Sequence, residues 1–436
     1  MSSSSSSSSR FKLVYEDTRH PAVPRSAPFS NPWLSGAFKL PGLWDLLGFM
    51  WKTSSLEKRL LSGAVVDVKS TFPTVPLDAE KLRNPPADLV QCTWIGHASV
   101  LVQMDGVNIL TDPVFAERAG PVQFAGPRRF VDVPFSLDEL LAAIPIHAVC
   151  ISHNHYDHLD FGVVDRLRDS VRWVVPTGIG GWLRDQQIAL PNVVELDWWQ
   201  AAQIESANPV KGACTVVDVR DGPGEHRKKG ATLFACTPAQ HWSARTPFDR
   251  FATLWGSWSI LSHNRAVHFC GDTGHNAVLC GHDTFGTADA RVLTSPDVQA
   301  SAPPPAVESA TYDERLLSSH FAEVGDVLGP FDLALIPIGA YEPRPLMRMQ
   351  HIAPEEAVAA HVQLRAHRSL GVHWATFALT TEDVQEPPVR VNKEMRRLGL
   401  DPAAFFTVKH GETCVVGDGD NHNQVNVKRK VKRGER

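Results

Sequence analysis

The densest chemistry in the chain lies in Ser152–Asp160, S-H-N-H-Y-D-H-L-D, where His153, His155, Asp157 and His158 fall close together. Imidazole and carboxylate side chains are ligands that suit zinc, manganese or iron. The preceding Ile144–Ile151 is apolar and rich in β-branched residues, which predicts a buried strand ending at this run. Alternation along an extended chain sends His153 and His155 to one side. Asp157 and His158 then turn toward a second centre. Three further residues follow apolar runs in the same way: His241, Asp272 and His373. A lone histidine is more often a satisfied core residue, but repetition at separate strand ends points to one shared site. His153, His155 and His241 make a three-nitrogen site, and Asp157, His158 and His373 make a second. Asp272 has two oxygens and is suited to bridge them. Two adjacent cations sharing a bridging hydroxide activate water for hydrolysis. His97 is expected to pack or to orient a ligand rather than to bind metal. The loop from Phe115 to Phe130, with Arg118, Arg128 and Arg129, is read as a solvated loop or an anion-attracting cover.

Alternating strands and helices must hold these residues. Strands are predicted at Gln91–Ile95, Ser99–Met104 and Val107–Leu110, with Asp105-Gly106 as a hairpin turn. After the histidine run come a helix at Phe161–Asp169, a strand at Arg172–Pro176, a helix at Gly181–Gln187 and a strand at Val193–Leu196. Further strands are expected at Cys214–Val219, Thr232–Thr237, Ser257–Leu261, Ala266–Cys270, Leu333–Ile338, Leu370–His373 and Phe405–His410. Helices are expected at Pro354–Gln363 and Val389–Leu398. The alternation is that of an α/β fold.

Around this core the composition shifts. Residues 1–30 read as a disordered tail that opens on a serine run. It is Ser-rich and acid-poor as transit peptides are, but too poor in basic residues, so a plain tail is expected. An N-terminal extension spans 31–88. Within it Leu40–Leu61 crowds Leu43, Trp44, Leu46, Leu47, Phe49, Met50 and Trp51 ahead of Lys52, Lys58 and Arg59. Such a stretch either lies in a membrane interface or packs as a helix on the domain or a dimer contact. The hydrolase domain is placed at 89–416, with 283–320 as a flexible insertion rich in Ala, Ser, Pro and Thr. Residues 417–436 form a basic disordered tail.

The 436 residues are 43% hydrophobic, enough for a sizeable core. The formal net charge of -5 argues against nucleic acid as a main partner. No stretch is apolar for the ~20 residues of a spanning helix. The 7 cysteines are scattered without a CxxC pair, which favours a reducing compartment.

The pattern H-x-H-x-D-H followed by His241, Asp272 and His373 resembles the metallo-β-lactamase superfamily. The surrounding segments narrow the likeness. Trp94–Ser99 (W-I-G-H-A-S), Leu110–Pro113 (L-T-D-P), Glu195–Trp199 (E-L-D-W-W), Leu254–Trp258 (L-W-G-S-W), Gly271–Gly274 (G-D-T-G), Pro337–Pro343 (P-I-G-A-Y-E-P), Gln350-His351 and His373–Phe377 (H-W-A-T-F) resemble the N-acyl-phosphatidylethanolamine-hydrolysing phospholipase D family. The likeness runs from about Gln91 to about Gly411. It implies an αββα sandwich with a dinuclear site at one sheet edge, holding two zinc ions per chain. It implies hydrolysis of N-acyl-phosphatidylethanolamine to N-acylethanolamine and phosphatidic acid. Asp157, His351 and Gln350 are then catalytic candidates, and Tyr156 and His351 contact substrate. The implied setting is a homodimer on an intracellular membrane, Golgi/endosome-like or mitochondrial. Family members also contact bile acids just after the His241-Trp242 motif. Here that segment is Ser243-Ala244-Arg245, and the family's basic residue is missing at Ala244. The alternative reading is a hydrolase of another phosphodiester or of a lactone.

Overall fold

The computed structural model describes residues 29–31, 43–206, 208–212, 214–220, 222, 227–246, 248–275 and 319–417. Nearly all of the expected tails and of the 283–320 insertion lies outside these residues. At the far end of that stretch Ser319 caps a helix that begins at His320, which is buried.

The described strands form two sheets. The first contains β1 Val90–Gly96, β2 Ser99–Met104, β3 Val107–Thr111, β4 Ala148–Cys150, β5 Arg172–Pro176 and β6 Val193–Leu196, with β15 Thr413–Val416 at its edge beside β1. The second contains β7 Gln200–Glu205, β8 Cys214–Asp218, β9 Ala231–Thr237, β10 Ser257–Leu261, β11 Ala266–Phe269, β12 Phe331–Pro337, β13 Ala366–Val372 and β14 Phe405–Phe406. Its order is β14-β13-β12-β11-β10-β9-β7-β8. The described helices are α1 Leu43–Leu61, α2 Val68–Thr71, α3 Ala79–Arg83, α4 Leu137–Ala143, α5 Phe161–Leu167, α6 Ile179–Asp185, α7 His320–Val327, α8 Arg344–Met347, α9 Pro354–Gln363 and α10 Glu386–Arg397.

Strand parity builds the layers. Val100, Val102, Ile109, Cys150 and Val174 turn inward and share a core with Phe234, Ile260, Phe269 and Leu335 of the second sheet. Their neighbours Leu101, Leu110, Val149, Trp173 and Val175 turn outward. They meet Leu140 of α4, Val163 and Leu167 of α5, and Leu183 of α6. On the far side, Phe321, Val324, Ala357, Val358, Val391 and Met395 bring α7, α9 and α10 into the core. Sheets covered on both faces carry continuous apolar strands, and β1 to β5 are buried throughout. The result is an α/β fold layered as an αββα sandwich.

Helix α1 packs through Leu56 and Leu60 against Phe72, Phe130, Val131, Ala375 and Ala378. It therefore lies on the loop that follows His373. Trp51 on the same helix is 72% exposed.

Candidate metal centre

Each predicted ligand lies just past the end of a strand. Strand β4 leads into Ser152–His158, β9 into His241, β11 into Asp272 and β13 into His373. The first lies in one sheet and the other three lie in the second. Two contacts tie the sheets together here: Gly256 N–H donates to Ser152 O at 2.9 Å, and Trp258 Nε1 donates to Ile151 O at 2.9 Å. Gly271 has φ +59°, and a Cβ there would lie 2.5 Å from Ser152 Cβ. Glycine thus lets the Asp272 turn pass against the histidine loop.

The structure brings all seven predicted ligands together. His153 Nε2 is 2.8 Å from His155 Nδ1, which is 3.3 Å from His241 Nε2. Asp272 Oδ2 lies 3.9 Å from His153 Nε2 and 3.7 Å from His241 Nε2. In the second group, His158 Nε2 is 3.4 Å from Asp157 Oδ2 and 3.1 Å from Asp272 Oδ2. His373 Nε2 is 2.9 Å from Asp272 Oδ1 and 3.8 Å from Asp157 Oδ2. Ligands at 2.0–2.1 Å from a tetrahedral zinc sit about 3.3 Å from one another, so these separations suit a cation. His158 Nε2, His373 Nε2 and Asp272 Oδ1 are buried and close, yet none is aligned in a hydrogen bond with a described residue. Close, unaligned donor atoms are what ligands of a shared ion present.

The electrostatics agree with that fit. Burial pushes His153 well down, His155 to about 4 and His241 to about 3, so their lone pairs are free. Burial alone would raise Asp272 and Asp157, but the histidine charges around them outweigh it and hold both carboxyls well down. His158 is the reverse case. Burial opposes its charge, yet Asp272, Asp157 and Asp112 together draw its pKa well up. Three carboxylates around one imidazole make a place that favours positive charge.

Orienting partners complete three of the histidines. His158 Nδ1 and Asp112 Oδ2 are 2.6 Å apart, and His153 Nδ1 and Ser152 Oγ are 2.9 Å apart. His241 Nδ1 lies 3.0 Å from Gln350 O. Asp112 also accepts from Ser152 N and Oγ, so one carboxylate supports ligands of both groups. Such partners fix ring orientation and ligand basicity. His97 Nε2 lies 3.0 Å from Asp157 Oδ2, and its ring sits on that of His373 at 3.9 Å.

His351 stands beside the cluster, with Nδ1 3.9 Å from Asp272 Oδ2. Tyr156 is half-buried and donates its hydroxyl to Arg245 O at 2.8 Å. The Gln350 side chain turns instead to Trp242, accepting from its Nε1 at 2.5 Å. The arginine loop is not a free anion cover. Arg129 is buried and donates to Ala116 O and Val114 O, Arg118 donates to Gly126 O, and Arg128 pairs with Glu117.

Sequence reasoning missed Asp112 and Arg245 as parts of the site. Arg245 donates to Asn154 O at 3.0 Å and Leu159 O at 2.9 Å, bracing the ligand loop, and stacks on Tyr156. Asp112 had a usable signal, a carboxylate at a strand end before a proline. Arg245 had none, since its partners are backbone carbonyls far away in sequence.

Fold and donor cluster together are those expected of a metal-binding hydrolase. The Beta-lactamase superfamily domain matches residues 107–284 and 317–374. The chain is 33% identical to an N-acyl-phosphatidylethanolamine-hydrolyzing phospholipase D 1 of Caenorhabditis elegans, over 87% of this chain and 89% of that one. It is 27% identical to the mitochondrial N-acyl-phosphatidylethanolamine-hydrolyzing phospholipase D of Saccharomyces cerevisiae, over 68% of this chain and 49% of that one. Among solved structures, Igni18, a metallo hydrolase from Ignicoccus hospitalis, is similar at a TM-score of 0.45 and 18% identity, covering 75% of this chain and 98% of that one. The chain belongs to the N-acyl-phosphatidylethanolamine-hydrolysing phospholipase D family and is an enzyme of the phosphoric diester hydrolase class.

Proposed function

We propose that the protein is a zinc-dependent phospholipase D that cleaves N-acyl-phosphatidylethanolamine to N-acylethanolamine and phosphatidic acid. The observation that carries this is that His153, His158, His241 and His373 each bring a ring nitrogen within 3.9 Å of a carboxylate oxygen of Asp272, in a chain of this family. His153, His155 and His241 would hold one cation, Asp157, His158 and His373 the other, and Asp272 both. When bound, such a pair lowers the pKa of water and neutralises charge on a phosphate.

The remaining steps fall to the chain's own residues. Burial pushes His351 to about 3, so it is neutral near pH 7 and offers an N–H to a phosphate oxygen. That makes it a phosphate holder in preference to a proton donor. Its replacement by alanine is expected to raise KM more than it lowers kcat, and an H351A enzyme with unchanged KM contradicts the role. Tyr156, at the rim of the ligand loop, borders the headgroup. Gln350 acts through His241, by the backbone carbonyl that faces the ring.

The substrate is a membrane lipid, and the exposed Trp51 on α1 supports contact with a bilayer surface. No helix among the described residues is long and apolar enough to cross a membrane. A homodimer on that surface completes the proposal. Light scattering of the purified protein at twice the mass of the chain supports this part, and a monomer mass contradicts it.

The direct test is purified protein incubated with vesicles of N-acyl-phosphatidylethanolamine, with products read by lipid mass spectrometry. Equimolar N-acylethanolamine and phosphatidic acid are expected, lost with chelator and restored by zinc. An intact lipid alongside turnover of a soluble phosphodiester or lactone contradicts the lipid assignment and leaves the broader hydrolase.

A further inference from the structure

Two cysteines outside the metal centre face each other across the sheet. Cys92 on β1 is the register partner of Cys414 on β15. Their sulfurs lie 3.0 Å apart, in hydrogen-bond contact. Residues directly opposed in an antiparallel pair have Cα atoms about 4.5–5.5 Å apart, inside the range in which a disulfide closes. The two thiols differ in access. Cys92 is enclosed, while Cys414 is half-buried on a strand with one neighbour among the described strands.

We propose that Cys92 and Cys414 are a reversible dithiol–disulfide pair that cross-links β15 to β1. The oxidant is a low-molecular-weight disulfide such as oxidised glutathione. Cys414, the partly exposed member of the pair, loses its proton and attacks one sulfur of that reagent, expelling one glutathione thiolate and forming a mixed disulfide. Cys92, already in contact, loses its proton and attacks Cys414 Sγ, expelling the second glutathione. Two protein thiols are oxidised and one disulfide reagent is reduced to two thiols. The hydrogen bond between the sulfurs supports this order. It lowers the pKa of Cys414 and, together with burial, raises that of Cys92.

The bond would stiffen more than an edge. Leading into β15, His410 packs on Trp94 at 4.1 Å and lies 3.1 Å from the Thr376 hydroxyl. That hydroxyl accepts from His97 N at 2.8 Å. A closed bond at residues 92 and 414 therefore secures the wall on which His97 rests. The pair takes no part in hydrolysis, and the proposal stands independently of the substrate.

The test uses the full chain in glutathione buffers poised reducing or oxidising. Thiol alkylation with peptide mapping is read alongside amide hydrogen exchange. In oxidising buffer a peptide joining Cys92 to Cys414 is expected, lighter by two hydrogens, and exchange at residues 413–416 slows about tenfold. C92S and C414S are each expected to abolish the linked peptide and the slowing. The wild-type comparison stands even where a variant folds poorly. Full alkylation of both cysteines in oxidising buffer overturns the proposal. So does a glutathione adduct that persists on Cys414, or exchange at 413–416 that is unchanged by the bond.

Discussion

Asp112 takes hydrogen bonds from Ser152 N, Ser152 Oγ and His158 Nδ1, and through Ser152 it reaches His153. Replacing it with asparagine leaves the shape but puts an amide where acceptors are needed. D112N is therefore expected to weaken cation binding about 10–100-fold. Metal content after dialysis against a competing chelator checks this, and wild-type retention contradicts it. His97 is placed to hold Asp157 from the other side. Its Nε2 faces Asp157, its Nδ1 has no described partner, and its carbonyl accepts from His373 N at 2.9 Å. An Nε2–H tautomer leaves only a bare acceptor unmet, which favours an orienting role over ligation. H97A is expected to lose one cation of two while H97Q, which keeps a donor, retains more. Equal retention in both variants contradicts this. The sequence shows ligands readily, because H-x-H-x-D-H is dense and strand ends are visible. It hides the residues that aim them: an aspartate at a strand end before a proline marks a position but names no partner, and an arginine in a loop gives no signal.

At the scale of elements, the ligand loop after β4 is held by more than its strand. Arg245 donates to two of its carbonyls and lies over Tyr156 and Trp182. A lysine lacks the planar guanidinium that lies over those two rings while Nη1 makes both hydrogen bonds. R245K and R245A are both expected to lower cation retention, with little change in the far-UV spectrum. Wild-type retention in R245A contradicts the bracing role. Element prediction from the sequence was uneven for physical reasons. Arg172–Pro176, Val193–Leu196 and Ser257–Leu261 were legible to the residue, being apolar runs between turn signals. Ile144–Ile151 was overextended, since only Ala148–Cys150 finds partners on both sides. Phe405–His410 shrinks to Phe405–Phe406, where β13 is its one partner among the described strands. Strand β7, Q-A-A-Q-I-E, was missed. It lacks β-branched residues apart from Ile204 and is a strand because β8 and β9 flank it. Helix α4 was missed although Ser136 and Glu139 form a capping box that the sequence displays.

Across the whole molecule, strand order is the property least visible in the sequence. Strand β15 closes beside β1 and β14 beside β13, pairings of distant segments that no local pattern encodes. The same closure buries histidines away from the metal centre. Burial pushes His268 to about 3, His361 to about 4 and His410 to about 3. Their unfolded value is about 6.5, so between these values the unfolded chain binds more protons. Stability is expected to be full above pH ~6.5 and to fall as the pH drops toward ~4. Melting temperatures across that range check the sign, and H268N is expected to flatten the slope. A melting temperature that rises on acidification contradicts it.

The central claim is that strand ends from both sheets gather seven side chains able to hold two cations, with Asp272 shared between them. Elemental mass spectrometry of the purified wild type and of D272N tests it most directly. The account predicts two zinc ions per wild-type chain and a loss of bound zinc in D272N greater than in any single histidine variant. Two zinc ions retained in D272N with full turnover, or a single ion in the wild type, would contradict it.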